Sequence, residues 1–163
     1  MLEPLVQFVC DTCHQVINAP QEGWFEWCED EGRKAHSYRI LHHRPECRSA
    51  PQTPGLHGHR LDQLVGVANM TNLYSLFQMG PANQANNGDI ATLRDLDEFT
   101  EILRRLTERY YDEARLYWEE AKSNGFFLGS SDASTYQPST YKKVIESYGA
   151  GATGGTICGC ADH

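Results

Sequence analysis

The chain has 163 residues and a mass of 18.4 kDa, of which 40% are hydrophobic and 22% charged, with a mean hydropathy of -0.55. That size suits one domain, or one domain carrying a small module, and the composition is neither disordered nor collagenous. The net charge of -8 disfavours a general polyanion binder, and no apolar run reaches the length of a membrane span.

The charge is unevenly placed: -7 over residues 1–32, +5 over 33–60 and -6 over 61–163. Five of the seven histidines lie in the basic block. Such a stripe can meet phosphates or pair with the acidic residues beside it, and the acidic total favours pairing. The expectation is therefore that Glu26, Glu29, Asp30 and Glu31 take up several of Arg33, Lys34, Arg39, Arg44 and Arg48.

From the N-terminus, Leu5-Val-Gln-Phe-Val leads into Cys10-Asp-Thr-Cys13, followed by apolar Val16-Ile17. Met1-Leu-Glu-Pro has no basic stretch typical of a secretory signal, so the reading is a cytoplasmic protein with reduced thiols. Residues 23–28 and 36–42 alternate apolar and polar positions around Glu29-Asp-Glu-Gly-Arg-Lys34, which predicts a hairpin. Trp24 and Trp27 fall on opposite faces of an ideal strand, so either one is exposed or a bulge intervenes.

Two thiolates separated by two residues on a tight turn can point at one ion, and zinc asks for four such donors. Cys10 and Cys13 form the first pair; His43-x3-Cys47, at the far end of the hairpin, supplies the second. His42 is the rival histidine, and Cys28 or His36 could replace one of these choices. This Cys-x2-Cys … His-x3-Cys pattern resembles a zinc-ribbon or zinc-knuckle module over residues 5–50. The second half departs from the usual second Cys-x2-Cys. The expected ligands are Cys10, Cys13, His43 and Cys47, around structural Zn2+. A redox Cys-x2-Cys would open a helix inside a βαβ unit, and that context is missing.

Residues 51–60, rich in Pro, Gly and His, read as a linker, and a helical domain is expected over 61–149. Leu61, Leu64, Val65 and Ala68 share one helical face, continued by Met70, Leu73, Tyr74 and Phe77 until Gly80-Pro81. A long helix is expected from about Leu96 to Asn124, with Asp95 and Glu98 as its capping pair and Gly125 as its stop. A last helix follows Pro138 and ends at Gly149. Residues 150–163 read as a flexible glycine-rich tail containing Cys158, Cys160 and His163, and its Gly-x-Gly-x-x-Gly lacks the strand and following helix of a dinucleotide site.

The expected fold class is α+β, a small zinc-stapled β-hairpin module followed by a three- to four-helix bundle. No P-loop, His-Glu-x-x-His or Gly-x-Ser-x-Gly is present. The functional reading is a non-enzymatic interaction or regulatory protein with a protein partner; nucleic acid and membrane partners are not expected. Two rival readings are a small zinc hydrolase, with Glu46 or Glu26 as base, and a nucleic-acid binder through the 33–48 hairpin.

Overall fold

The computed structural model describes residues 1–77 and 92–149. The expected glycine-rich tail, with Cys158, Cys160 and His163, and the Gly80-Pro81 stop lie outside these residues. The architecture is α+β, as expected. The chain divides into two compact units, Leu2–Asp112 and a second made of Met1 with the residues from Glu113 onward.

In the first unit, a two-residue ladder joins β1 (Phe8–Val9) to β2 (Val16–Ile17) across the Cys10–Cys13 turn. The main sheet has the order β5-β3-β4-β6, with β3 at Gly23–Glu29, β4 at Lys34–His42, β5 at Leu56–Arg60 and β6 at Thr92–Leu93. The β3–β4 hairpin closes at Asp30, whose Oδ1 accepts from the amides of Gly32 and Lys34 at 2.9 Å each. This side chain mimics a backbone turn, while Arg33 takes the left-handed conformation at φ 57°.

The register slips between Glu26↔Arg39 and Cys28↔His36, so Ser37 and Tyr38 together oppose Trp27. A bulge is present, but it lies on β4, with Ser37 at φ 57°, and not between Trp24 and Trp27. It has a packing consequence. Ala35 and Tyr38 are three residues apart and would face opposite ways on a regular strand, yet both are buried together with Ile40. Strand β3 keeps its alternation: Phe25 and Trp27 join the core, while Trp24 and Glu26 take the other face.

Residues 56–60, read as linker, are strand β5, paired with β3 from Cys28↔Leu56 to Trp24↔Arg60. Gly58 is required there, because a Cβ would sit 2.4 Å from Trp24 Nε1. Proline and glycine marked the approach correctly, but a histidine-bearing strand has no apolar alternation to reveal it.

The helical face expected from Leu61 onward is split. Leu61–Gln63 and Val67–Asn69 are 3-10 turns, and α1 begins only at Met70 and runs to Phe77. Gly66 causes the break: at φ 82° its amide leaves the local helix to donate to Leu106 O at 2.8 Å. Leu61, Leu64 and Leu73 nonetheless reach the core. Helix α2 (Leu96–Thr107) starts at Asp95, whose Oδ1 accepts from the amides of Asp97 and Glu98. Glu98 does not complete the capping pair; its carboxylate accepts from the Tyr38 amide at 3.2 Å instead. Phe99, Ile102 and Leu106 on α2 close the core over Phe25, Trp27 and Tyr38, with Phe77 making edge contacts to Trp27, Tyr38 and Phe99. Burying each such ring contributes roughly 1.5–3 kcal/mol.

The long helix expected over 96–124 is interrupted. Glu108 turns extended, Tyr110 sits at φ 71°, and α3 (Tyr111–Ala114) restarts the helix. On an unbroken helix, residues 105 and 112 would be separated by roughly 10 Å of rise. The break instead brings Asp112 Oδ1 to 2.6 Å from Arg105 Nε. Both residues are buried, and this electrostatic demand outweighs the helical propensity of the segment.

The second unit contains α4 (Trp118–Ser123), α5 (Asp132–Thr135) and α6 (Pro138–Tyr148). Gly125, at φ 74°, ends α4, and Phe126 N–H folds back onto Ala121 O at 3.0 Å. Trp118 packs against Phe127, Tyr136 and Tyr141, and α6 buries Tyr141, Val144 and Ile145 as its periodicity predicts.

Candidate metal centre

Cys10, Cys13, His42 and Cys47 each direct one donor atom into a common space, and these four atoms lie within 4.8 Å of one another. Cys13 Sγ and Cys47 Sγ are 3.4 and 3.8 Å from His42 Nδ1. Around tetrahedral zinc, sulfur–sulfur and sulfur–nitrogen edges come to about 3.5–3.8 Å, so the spacing fits a single ion. Among the described residues this is the cluster whose chemistry and spacing suit a metal.

The first pair comes from a knuckle between β1 and β2. His14 N–H donates to Cys10 O at 2.9 Å, and Cys10 N–H to Gln15 O at 3.0 Å. His14 completes the turn in the left-handed region at φ 57°, a position that glycine fills without steric cost. The knuckle is pinned from outside by Asp11. Its amide donates to Ile40 O at 2.9 Å and its Oδ2 accepts from Ile40 N at 2.7 Å. Thr12 Oγ1 then donates to Cys47 O at 2.8 Å, linking the first turn to the second.

The histidine is the point where structure and expectation differ. His42, not His43, joins the three sulfurs. His43 is exposed and stacks on Trp24, with ring centroids 4.6 Å apart and planes 9° from parallel. Strand alternation decides between them. The knuckle docks on Ile40, and the residue two further along β4, on the same face, is His42. The other ring nitrogen, Nε2, lies 3.2 Å from Val16 O. A proton on Nε2 donated to that carbonyl leaves the Nδ1 lone pair for the centre, the outer-shell arrangement common to metal-bound histidines. Cys28 and His36 face each other across β3 and β4 and stay out of the cluster, so neither replaces one of the four.

Arg44 was not anticipated. Its Nε donates to Cys47 Sγ at 3.3 Å and its Nη2 to Cys13 Sγ at 3.5 Å. Three thiolates around a divalent ion leave one negative charge in excess, which this guanidinium offsets. Burial opposes ionisation of Cys13, but the Gln15 amide and hydrogen bonds from Cys10, Cys47 and Arg44 bring its thiol down to about 6. Burial pushes the Cys47 thiol up, against the pull of Arg44. A thiol poised as thiolate at neutral pH is the form that binds metal. The Arg-x2-Cys spacing on the ligand loop was the available signal, but a basic residue in a basic block does not stand out.

The centre is also braced from α2. Arg105 Nη1 donates to Asp11 Oδ2 at 2.7 Å and Nη2 to Val9 O at 3.2 Å, while Asp112 Oδ2 accepts from Val9 N at 2.7 Å. Both residues flanking Cys10 are therefore fixed by a buried ionic cluster.

The basic block is largely paired, as its acidic neighbours suggested. Glu26, 1% exposed, takes Arg39 at 3.1 Å and Arg48 at 3.5 Å, and Glu29 takes Arg33 at 3.2 Å. Glu26 also accepts the Ser49 amide, so it is saturated and stands outside the cysteine–histidine cluster. No helix among the described residues is long and apolar enough to cross a membrane. Comparison with family models, curated proteins and solved structures finds no match to this chain.

Proposed function

We propose that Cys10, Cys13, His42 and Cys47 hold one structural zinc ion, and that the protein is a non-enzymatic interaction or regulatory protein presenting the zinc-stapled sheet to a protein partner. The observation that carries this reading is the set of four convergent donors with His42 Nε2 held by the Val16 carbonyl. Three thiolates and a neutral imidazole suit zinc, and four protein ligands complete its tetrahedron without a position for reactive water. Two further facts support a binding role over a hydrolase. Glu26 is committed to two arginines and an amide, and the Arg44 contacts stabilise thiolates instead of aiming at a substrate. A knuckle held by a two-residue ladder also gains from a staple, which metal binding supplies as folding free energy.

The test is elemental analysis of the purified full chain beside the variants His42→Ala, His43→Ala and Cys13→Ser. About one zinc per chain is expected for the wild type and His43→Ala, with loss in the other two. Cobalt substitution should give a four-coordinate, thiolate-rich spectrum that does not change between mildly acidic and mildly basic pH. Retention of zinc in His42→Ala, or a pH-dependent spectrum of a bound water, defeats the closed-site assignment.

A further inference from the structure

The loop that carries Cys47 continues into a cavity of about 410 Å³, lined by Pro45, Arg48, Ser49, Ala50, Pro51 and Leu56. That volume falls in the roughly 300–1,000 Å³ range of small-ligand sites. Four of its six lining residues are apolar, and Arg48 and Ser49 bring polar side chains to it.

Arg48 is held in place by two contacts. Its Nε points at Glu26 Oε1, 3.5 Å away, and its Cζ lies 4.3 Å from the centroid of the Trp24 ring. No other acceptor for Arg48 is found among the described residues, and its side chain is 37% exposed, so its terminal donors remain for a ligand. Glu26 carries one negative charge against the two positive charges of Arg39 and Arg48, so this group of three side chains beside the cavity keeps one positive charge uncompensated. Ser49 is fixed as well: its amide donates to Glu26 and its Oγ accepts from Arg39, which turns the hydroxyl hydrogen away from Arg39.

We propose that this cavity binds a monocarboxylate with an apolar body, its carboxylate on Arg48 and the Ser49 hydroxyl and its body against Pro45, Ala50, Pro51 and Leu56. A single negative charge matches the single uncompensated positive charge. A phosphate would bring more charge toward buried Glu26 and leave the apolar walls without a partner. A neutral ligand would cover the Arg48 donors that Glu26 does not take without offering them a charged acceptor in place of water. The carboxylate can belong to a free organic acid or to the C-terminal residue of a peptide. The inference does not depend on the zinc reading.

The experiment is calorimetric titration of the full chain with 4-phenylbutanoate and its amide, and with a tetrapeptide ending in leucine as free acid and as amide. At least one acid should bind with a Kd of about 1 mM or tighter, and its amide should bind at least about tenfold more weakly. A tighter free acid assigns the site to small metabolite-like acids; a tighter peptide acid assigns it to chain termini. Arg48→Met should weaken binding about tenfold. Ala50→Trp, a change at an exposed lining position, should abolish binding by filling the cavity. Zinc content measured on the same samples separates loss of this site from loss of the metal centre. Absence of saturable binding by both acids up to about 10 mM, equal binding of acid and amide, or an unchanged affinity in Arg48→Met would overturn the proposal.

Discussion

Replacing Arg105 with methionine keeps the apolar stem and removes the guanidinium that braces the metal centre. Arg105 is 4% exposed and makes charged bonds to Asp112 at 2.6 Å and Asp11 at 2.7 Å, plus one to Val9 O at 3.2 Å. Burial opposes its charge, but Asp112 and Asp11 push its pKa further up, so no accessible pH neutralises it. Its removal takes the buried guanidinium from two carboxylates whose side chains are only 8% and 17% exposed, leaving them their other partners, the Val9 and Ile40 amides among them. Breaking a buried ion pair from one side costs about 3–5 kcal/mol, mostly through the charge left behind. Asp112 is the more enclosed, so Arg105→Met combined with Asp112→Asn should be less destabilised than the sum of the single changes by about 1–3 kcal/mol. Asparagine still offers an acceptor to the Val9 amide. Hydrogen exchange at the Val9 and Ile40 amides reports the opening free energy of this region directly, because both donate to the carboxylates concerned. Zinc affinity should fall with it, by about 10–100-fold, as for other outer-shell losses. A cost below about 1 kcal/mol, or strict additivity in the double variant, would refute the ionic brace.

Leu106→Ala, at a fully buried site, should cost about 2–5 kcal/mol in denaturant unfolding, whereas Leu103→Ala, only half-buried, should cost less than half as much. His14→Gly should preserve zinc content and be neutral or stabilising by up to about 1 kcal/mol, since it relieves a left-handed non-glycine residue; loss of zinc would mean that the His14 side chain has a role. The Lys34 amide, with help from Gly32, holds the Asp30 carboxyl below its ordinary range. A depressed carboxyl contributes stability above its unfolded value, about 3.9, and loses it as pH falls through the lower folded value. The stability gap between wild type and Asp30→Asn should accordingly shrink on acidification, and a gap independent of pH would remove the turn from the account. Duplex DNA should not bind measurably at ~150 mM salt in an anisotropy titration, because the hairpin arginines Arg33, Arg39 and Arg48 already face Glu29 and Glu26. Micromolar binding weakened by changing Arg39 and Arg44 would reverse that.

The sequence determined what local rules govern. Cys10-x2-Cys13 between short apolar pairs fixed a knuckle, since only a tight turn converges two thiols at that spacing. Asp95, Gly125 and Pro138 marked helix ends by backbone chemistry that needs no distant partner. The acidic and basic runs of the hairpin foretold their own ion pairs, because antiparallel strands set them side by side. What the tertiary structure decided depends on contacts between residues far apart in the chain. His42 takes the place beside the sulfurs because the knuckle docks on Ile40 and strand alternation then selects the residue two along. Strand β5 forms because β3 has an open edge and Trp24 needs Gly58 beneath it, neither of which is written in residues 56–60. The break at Tyr110 arises because Arg105 is buried against Asp11, and a second carboxylate must turn back to meet it. Helical periodicity runs unbroken through that segment, and a buried guanidinium overrides it because leaving its Nε without an acceptor in the core would cost more than a lost helical turn.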